Sequence, residues 1–433
     1  MAVAPVSLAV CVQCGSSGTG ARDGSSLASG SGSGTSSSSG PGSGASSTSG
    51  GPSNSGSSGG SGGSPASGGS SNADAGDADG GSGSDANTGE GGSSASTIGA
   101  SYTIGADVSD QEPQPDATRA NLLSFMKSHG FNYVRLRTFV DPGAADGYDR
   151  AKGFDDIAHT VAFGKQVKDA GMGLLVDFHY SDNWADPGKQ CVPVAWQTYT
   201  TIAGMAAAVH DYTKSSITQL IAGGARPDMV QIGNEETPGI LIHLCDSGGL
   251  PKAGTAGYNP VNGAIYLYSS TDKGPPPAGG PAAGGWSNLG MLLNAAVRGV
   301  KDVDAGIKIA LHVDRCNDTA SSQAYMTNAK AQGVAFDVFG ESCYVGTQGQ
   351  PSAMQTTIAS IASSFPSVKF MAAEYGGSPR AINDIFFDLA HQQGAGTFNW
   401  QPTTLWVRSG STYAAGPDMP IYDQMRIDYA SRL

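Results

Sequence analysis

From Tyr102 onward, short apolar runs alternate with stretches of helical periodicity, and the alternation repeats eight times. Parallel strands need a crossover connection, usually a helix, so this pattern is typical of βα units. Eight such units are the number that closes a (β/α)8 barrel, the TIM-barrel fold. We predict strands at Tyr102–Val108, Asn132–Thr138, Gly173–Phe178, Met229–Asn234, Lys308–His312, Phe336–Gly340, Lys369–Tyr375 and Thr397–Trp400.

Helical periodicity separates these strands, most clearly over Thr118–Ser128, Asp155–Ala170, Leu289–Val303 and Ala381–Gln392. An open doubly wound sheet is the alternative fold. Such a sheet normally carries a Gly-rich phosphate loop after an early strand, and Gly105-Ala-Asp-Val-Ser109 lacks that pattern. The barrel is therefore the predicted α/β fold, and residues at the carboxyl ends of its strands are the first candidates for chemistry.

The chain before the barrel has a different composition. Residues 15–98 are mostly Ser and Gly, cannot bury a core, and are predicted to form a disordered linker to a domain spanning residues 99–433. Residues 1–14 resemble the apolar part of a bacterial signal or lipoprotein segment without its positive start. Cys11 and Cys14 are the candidate lipid-anchor sites, and a plain cleaved or misassigned terminus is the alternative. We expect a secreted or surface-tethered bacterial protein.

Charge narrows the range of partners. The chain has 24 Lys and Arg residues against 37 Asp and Glu residues. Basic clusters interleaved with aromatic residues, typical of proteins that bind nucleic acid or anionic membranes, are missing. No apolar run reaches the roughly 18 to 20 residues that span a bilayer, so a membrane partner is expected only through an N-terminal lipid anchor. A neutral polysaccharide suits this charge, and we expect a monomer.

Two glutamates end the fourth and seventh predicted strands. Glu235 directly follows Asn234, and Glu374 lies within Ala372–Gly376. Strands four and seven are roughly opposite in a barrel, so the two carboxyls can face each other. Retaining glycoside hydrolysis needs two carboxyls about 5 to 5.5 Å apart, one as nucleophile and one as acid and then base. Glu236 is the competing acid/base candidate, and helix capping or pairing with arginine is the alternative for each glutamate.

Longer motifs surround these glutamates. They are Gly105-Ala-Asp-Val-Ser109, Val134-Arg-Leu-Arg137, Asp177-Phe-His-Tyr-Ser-Asp-Asn-Trp-Ala-Asp-Pro-Gly188, Gly233-Asn-Glu235 and Ala373-Glu-Tyr-Gly376. Through them the chain from Tyr102 onward resembles glycoside hydrolase family 53, the arabinogalactan endo-β-1,4-galactanases of clan A. The Asp177–Gly188 run is diagnostic of that family, whereas Asn-Glu alone indicates only the clan.

The resemblance implies a retaining endo-β-1,4-galactanase that cuts the galactan side chains of pectic arabinogalactan. It implies Glu235 as acid/base and Glu374 as nucleophile. The further roles that it implies are Arg135 holding the nucleophile as a carboxylate, Arg137 sharing that task, His179 beside the sugar, and Asn234 bonded to the sugar 2-hydroxyl. A structural salt-bridge network is the alternative for the arginines, and a structural role is the alternative for the histidine.

Two tryptophans offer flat apolar faces on which a pyranose ring can stack. Trp400 ends strand eight, where the clan has its platform tryptophan, and Trp184 lies in the long strand-three motif. Core packing is the alternative for both. Asp107, Tyr344 and His312 also lie at strand ends and are candidates for lining the groove.

Two loops depart from the family pattern. The segments His312–Asp318 and Glu341–Val345 lack the aromatic character and the proline that we would expect there. The connection Thr237–Gly285 is long and rich in Gly and Pro. Substrate contacts and the preferred chain length depend on these loops. Another clan A hydrolase, cutting mannan, xylan or β-glucan, is the second interpretation of the function; it would share the two glutamates but not the long strand-three motif. A non-catalytic glycan-binding surface protein is the third.

Four cysteines follow strands three to six in the predicted barrel. Neighbouring loops suggest the disulfides Cys191–Cys245 and Cys316–Cys343, which suit an exported protein. A zinc site is the alternative, but no barrel pair has the close CxxC spacing. Some relatives bind calcium near the late loops, yet no oxygen-ligand loop here compels it. We predict no metal and no cofactor.

Overall fold

The computed structural model describes residues 102–265 and 285–432 of the chain. The predicted terminal and linker segments, residues 1–98, lie outside the described residues, as do the two cysteines considered for lipid attachment. Within the described part, no helix is long and apolar enough to cross a membrane.

Eight parallel strands close into a barrel in chain order. They are β1 Thr103–Asp107, β2 Tyr133–Thr138, β3 Gly173–Phe178, β4 Met229–Ile232, β5 Lys308–Val313, β6 Val338–Tyr344, β7 Lys369–Gly376 and β8 Gly394–Trp400. Because β1 pairs with both β2 and β8, the sheet has no edge. The predicted (β/α)8 barrel is confirmed, and the open doubly wound sheet is excluded.

Within the described residues, an α-helix follows each barrel strand along the chain. These helices are α1 Asp116–Ser128, α2 Ile157–Asp169, α3 Ile202–Ala222, α4 Gly285–Lys301, α5 Thr319–Ala331, α6 Pro351–Ser364, α7 Pro379–Phe387 and α8 Met419–Ala430. Side chains of Asp156, Thr201 and Asp318 accept backbone N–H groups at the starts of α2, α3 and α5, which satisfies donors that the helix cannot pair itself. A hairpin, β9 Trp406–Ser409 with β10 Thr412–Ala415, follows the barrel.

The sixth strand runs further than its apolar pattern predicts. The sequence placed its end at Gly340, but β6 continues to Tyr344. Side chains alternate across a strand, so Ser342 and Tyr344 point to one face while Glu341 and Cys343 point to the other. The polar residues of this stretch conceal the strand in the sequence, because the inward face here is a site and not a core.

Two predicted helices are shorter than their periodicity suggests. Asp155 lies outside α2 with a positive φ of 66°, and the helix starts after Asp156. The last predicted helix ends at Phe387, because His391 and Gln392 adopt left-handed conformations with φ of 56° and 54°. Both differences are at helix ends, where local turn geometry outweighs the apolar repeat.

The barrel interior has an apolar layer beneath a polar one. A separate cluster of buried residues fills the apolar layer: Leu175, Met229, Ala310, Val338, Met371, Ala373 and Phe398. Gly105 makes room for this filling, since a Cβ there would lie 2.5 Å from the Phe398 ring. The larger core surrounds the barrel between strands and helices. The polar side chains that remain are therefore gathered at the carboxyl ends of the strands.

Two disulfides tie loops at that end of the barrel. Cys191 is bonded to Cys245, and Cys316 to Cys343, with Cα atoms 5.8 and 5.3 Å apart. Both pairs are those suggested by the sequence. The first joins the connections after β3 and β4, and the second joins the connection after β5 to β6 itself.

Candidate active site

Arg135 of β2 is the centre of the polar layer. Its guanidinium lies 2.7 Å from carboxylate oxygens of both Asp107 and Asp177, and 2.9 Å from Oε1 of Glu374. Burial acts to lower the pKa of Arg135, but these three carboxylates raise it above its ordinary value. One buried cation thus organises carboxylates from β1, β3 and β7.

Glu374 has both carboxyl oxygens engaged. Oε1 faces Arg135, and Oε2 accepts a 2.7 Å hydrogen bond from the Tyr344 hydroxyl. Burial raises the pKa of Glu374, while the charge of Arg135 and the Tyr344 hydroxyl oppose that rise. A nucleophile must be ionised and held in one orientation, and the contacts with Arg135 and Tyr344 favour both for Glu374.

Glu235 follows β4 at the open carboxyl-terminal end of the barrel, which we call the mouth, and its backbone conformation there is unusual. It has a positive φ of 41°, a conformation that is costly for a residue with a Cβ and that clusters at functional sites. Its Oε1 accepts a 2.6 Å hydrogen bond from the Ser342 hydroxyl. Burial, followed by the charges of Glu374 and Asp314, raises the pKa of Glu235 well above its ordinary value. A raised pKa favours the protonated form of a carboxyl, the form that a general acid needs.

The adjacent Glu236 points elsewhere. Its backbone N–H donates to the carbonyl of His312, and its Oε1 accepts the His312 N–H at 3.4 Å. The side chain is fully buried near Tyr325 of α5, outside the barrel mouth. Glycine is required at position 233, because a Cβ there would lie 2.5 Å from Oε2 of Glu236. The competing acid/base candidate is therefore excluded by its direction.

Strand β6 connects the two mouth glutamates. Ser342 pairs with Glu374 in the β6–β7 register, and its hydroxyl reaches Glu235. Tyr344, two residues further on the same face, bonds to Glu374. The carboxyls from β4 and β7 thus meet side chains of one strand. Sequence analysis did not identify Ser342. Extending the sixth strand past Gly340 would have placed this polar residue on the inward face and made it a candidate.

Aromatic rings line the mouth beside these carboxyls. Trp400 lies edge-on to Trp184 and to Tyr344, with ring centroids 6.4 and 6.2 Å apart. Both tryptophans are half-buried, so each keeps exposed surface. The Arg137 guanidinium lies 4.3 Å from the centre of the Trp184 ring, a cation–π contact. These rings give the mouth a partly exposed, flat apolar wall beside the two carboxyls.

A family model described as Glycosyl hydrolase family 53 matches residues 100–393 of this chain. The chain belongs to this family. An uncharacterized protein in the bgaB 5′ region of Niallia circulans is 34% identical over 242 residues, which cover 56% of each chain. The endo-beta-1,4-galactanase of Bacillus subtilis strain 168 is 27% identical over 324 residues, covering 67% of this chain and 65% of that protein. The chain thus spans less than two thirds of either relative.

Among solved structures, the Ignisphaera aggregans GH53 catalytic domain superposes with a TM-score of 0.56 at 22% identity. The match covers 75% of this family 53 chain and 97% of that domain. At this identity the likeness concerns the fold, and it agrees with the closed eight-stranded barrel seen here.

Arg137 of the family 53 barrel does not hold Glu374. Its Nη2 lies 3.1 Å from Asp155, and its Nη1 lies 3.7 Å from Asp107. The expectation that both arginines share the nucleophile is therefore corrected. Alternate residues of β2 do face the same way, but Arg137 lies one layer nearer the rim, where Trp184 covers it.

His179 after β3 and Asn234 after β4, both predicted to contact sugar, form hydrogen bonds within the protein in this family 53 site. His179 accepts the Ala185 N–H at Nδ1, and its Nε2 lies 3.0 Å from Asp177. Asn234 accepts from Arg135 and donates to the Ala185 carbonyl at 2.7 Å. Both are nearly completely buried. They fix the loop that carries Trp184, and sugar contact by either remains a prediction.

Asp107 and His312 are also integrated in the polar layer. Asp107 accepts from the Ser109 hydroxyl and pairs with Arg135. His312 lies 2.9 Å from Ser342 through Nε2. Tyr344 and Trp400, in contrast, border the open mouth, and Tyr344 contacts Glu374 directly. Within the described residues, no group of three or more His, Cys, Asp or Glu side chains is arranged to hold a metal ion.

Proposed function

We propose that this chain is a retaining endo-β-1,4-galactanase that hydrolyses the galactan side chains of pectic arabinogalactan. The observation that supports this best is the pair of glutamates at the barrel mouth with unlike surroundings. Glu374 pairs with the Arg135 cation, whereas among the described residues the side chain of Glu235 is hydrogen-bonded by the neutral Ser342 hydroxyl. Family 53 membership supports the glycosidase assignment. The name of the Bacillus subtilis relative supports galactan as substrate.

In the first step the Glu374 carboxylate attacks the anomeric carbon. A bond forms between a carboxylate oxygen and that carbon, while the bond to the glycosidic oxygen breaks. Glu235 transfers its proton to the departing oxygen, which leaves as a hydroxyl. Arg135 and Tyr344 keep Glu374 oriented for attack, since they hold its two oxygens from different sides.

In the second step water releases the glycosyl group from Glu374. Esterification removes the negative charge of Glu374, one of the causes that raise the pKa of Glu235 after burial. The lowered pKa leaves Glu235 ionised, so it can take a proton from the incoming water, whose oxygen bonds to the anomeric carbon as the ester bond to Glu374 breaks. Water attacks from the side of the ring that the leaving group of the first step had occupied, and this restores the original anomeric configuration. The reaction consists of proton transfers and two displacements, and we propose that it needs no cofactor.

The rim is suited to a neutral polymer. Trp184 and Trp400 present half-buried rings beside the carboxyls, and stacking on such rings needs no charge on the ligand. We propose that these two residues bind sugar rings on either side of the cleaved bond. The polysaccharide is the only partner that this proposal requires, with the chain acting as a monomer.

We also propose that the protein is exported. Two disulfides tie its loops, and disulfides persist in oxidising compartments outside the cytosol. A lipid anchor at Cys11 or Cys14 falls outside the described residues. Mass spectrometry of the mature N-terminus distinguishes a lipidated cysteine from a cleaved free terminus.

The test is reducing-sugar release from β-1,4-galactan, mannan, xylan and β-glucan by the wild type, Glu235→Gln and Glu374→Gln. We expect selectivity for galactan and loss of at least about 10³-fold in either variant. Proton NMR of the first product should show the β anomer. Activity on another glycan would reject the substrate, an α product would reject retention, and inactivity on all four would favour a glycan-binding protein.

A further inference from the structure

A buried chain of hydrogen bonds leads from β5 to the acid/base carboxyl. Nε2 of His312 lies 2.9 Å from Oγ of Ser342, and that hydroxyl donates to Oε1 of Glu235 over 2.6 Å. Both His312 and Ser342 are fully buried. Solvent therefore cannot replace either partner, and the direction of each hydrogen bond is fixed by the protein.

The surroundings of His312 determine which ring nitrogen carries the proton. The backbone N–H of Glu235 donates to Nδ1 at 3.3 Å, and the side-chain amide of Gln231 approaches the same nitrogen at 3.1 Å. A backbone N–H is only ever a donor, so Nδ1 is the acceptor. Asn234 Oδ1, 3.0 Å from Nδ1, instead accepts from Arg135. The proton of the neutral ring is then on Nε2 and points at Ser342.

His312 is neutral for electrostatic reasons. Burial, followed by the charges of Arg135 and His179, lowers the pKa of His312 well below its ordinary value. A neutral ring adds a hydrogen-bond donor to Ser342 without adding a cation beside Glu235. This matters because a cation in contact would hold Glu235 in its ionised form and deprive the first step of its acid.

We propose that Ser342, held by His312, is a positioning residue that keeps Oε1 of Glu235 as an acceptor and so places the transferable proton on Oε2. Ser342 has a single hydroxyl hydrogen, and its oxygen already receives Nε2–H. A proton on Oε1 would face the hydroxyl hydrogen, whereas a proton on Oε2 leaves both hydrogen bonds intact. The inference rests on the proposed role of Glu235 as acid/base.

The charged groups around Glu235 define what this contact does to its ionisation. After burial, three negative charges raise the pKa of Glu235: those of Glu374 on β7, Asp314 after β5 and Asp186 after β3. Tyr344 on β6 is also close enough to interact electrostatically with Glu235. The Ser342 hydroxyl is the opposing contribution, because it stabilises the ionised carboxylate. Without that hydroxyl the pKa of Glu235 should rise further.

The chain offers a matched control for removing this hydroxyl. Ser322 of α5 donates to Oε1 of Glu341 over 2.6 Å, again between fully buried residues, but outside the barrel mouth. Ser342→Ala and Ser322→Ala therefore delete hydrogen bonds of the same type and length. Only the first touches the acid/base. Thermal melting of both variants shows whether each is folded.

The kinetic test compares two substrates over a range of pH. With galactan, whose leaving group needs a proton, we expect kcat of Ser342→Ala to fall by about 10- to 100-fold. With a dinitrophenyl β-galactobioside, whose leaving group departs unprotonated, the loss in the first step should be several-fold smaller. The alkaline limb of the kcat/KM profile on galactan should move to higher pH. Ser322→Ala should change neither the substrate ratio nor the limb.

A second measurement does not depend on activity. Carbon-13 NMR of the glutamate carboxyls should show a higher pKa for Glu235 in Ser342→Ala, and nitrogen-15 NMR of the wild type should show His312 as the neutral Nε2–H tautomer. An unshifted Glu235, or a proton on Nδ1 of His312, would overturn the inference even if the enzyme cuts galactan. A wild type inactive on every galactan substrate would instead reject the proposed function. The spectra would still test whether Ser342 and His312 control the ionisation of Glu235.

Discussion

The two mouth glutamates are the same residue type in one buried layer, yet their surroundings differ in charge. Glu374 contacts the Arg135 cation and the Tyr344 phenol. Glu235 contacts the Ser342 hydroxyl, which is itself bonded to neutral His312. Burial raises the pKa of both carboxyls, and in the part of the chain that the structure describes only Glu374 has a cation in contact that opposes this rise. The difference teaches that partners on neighbouring strands, more than the residue type itself, set the electrostatic surroundings of the two carboxyls that we propose as nucleophile and acid.

The largest effect should come from removing the cation that separates the two environments. Arg135→Gln leaves Glu374, Asp107 and Asp177 without their shared partner, and breaking a buried ion pair costs about 3 to 5 kcal/mol of stability. We expect kcat to fall by about 10³-fold or more, since Glu374 becomes harder to ionise. Urea unfolding and galactan kinetics measure the two losses.

Arg137→Gln is the control for that prediction. Arg137 contacts Asp155 and the Trp184 ring but not Glu374, so its loss should raise KM more than it lowers kcat. Equal losses of kcat in the two arginine variants would show that Arg135 has no special relation to the nucleophile.

A smaller effect is expected when Glu374 loses only its neutral donor. Tyr344→Phe keeps the ring beside Trp400 and removes the hydroxyl from Oε2 of Glu374. That hydrogen bond lowers the pKa of Glu374, so its loss raises the pKa, and the acidic limb of the kcat/KM profile moves to higher pH. We expect kcat to fall by about 10- to 100-fold. Tyr325→Phe, a buried tyrosine outside the mouth, should leave the limb unmoved.

Removing the disulfide at β6 should make the contacts of both glutamates less rigid, because β6 carries the side chains that bond to each of them. Cys343 lies between Ser342 and Tyr344, so the Cys316→Ala/Cys343→Ala variant should lower kcat several-fold. Its loop of 27 residues corresponds to about 3.5 kcal/mol of stability in the chain-entropy model. The Cys191→Ala/Cys245→Ala variant should lose comparable stability and less kcat. If kcat falls equally in both, the position of the β6 disulfide has no special effect on the site.

The smallest effect on activity is expected at Glu236, although it adjoins the acid/base. Glu236→Gln should leave kcat within about two-fold, because the side chain points away from the mouth. Burial raises the pKa of Glu236 well above its ordinary value, so the folded state keeps a proton that the unfolded chain releases above about pH 4.3. That stability contribution is lost as pH rises toward the folded pKa.

The Glu236→Gln variant would carry no such loss, because an amide does not titrate, and it should gain stability relative to the wild type between about pH 5 and pH 8. Urea unfolding at the two pH values provides the measurement. A difference in unfolding free energy that is the same at both would mean that Glu236 is ionised inside the fold.

Much of the molecule was determined by sequence alone. Eight alternations of apolar runs and helical repeats predicted the barrel, because each strand buried on both faces reads as an apolar run. Glu235 and Glu374 were found because the carboxyl ends of barrel strands are where chemistry gathers. Cysteines in neighbouring loops gave both disulfide pairs. These features depend on chain order and local pattern, which the sequence carries directly.

Only the tertiary structure decided how polar side chains share the mouth. It directed Glu236 outward, gave Arg135 and not Arg137 to Glu374, and brought Ser342 to Glu235. Each outcome depends on the register between strands far apart in the chain, and a shift by one residue exchanges the inward and outward faces. The apolar pattern ends where this polar layer begins. The sequence therefore locates the strands, but the contacts of the polar residues at their ends are set only when the barrel closes.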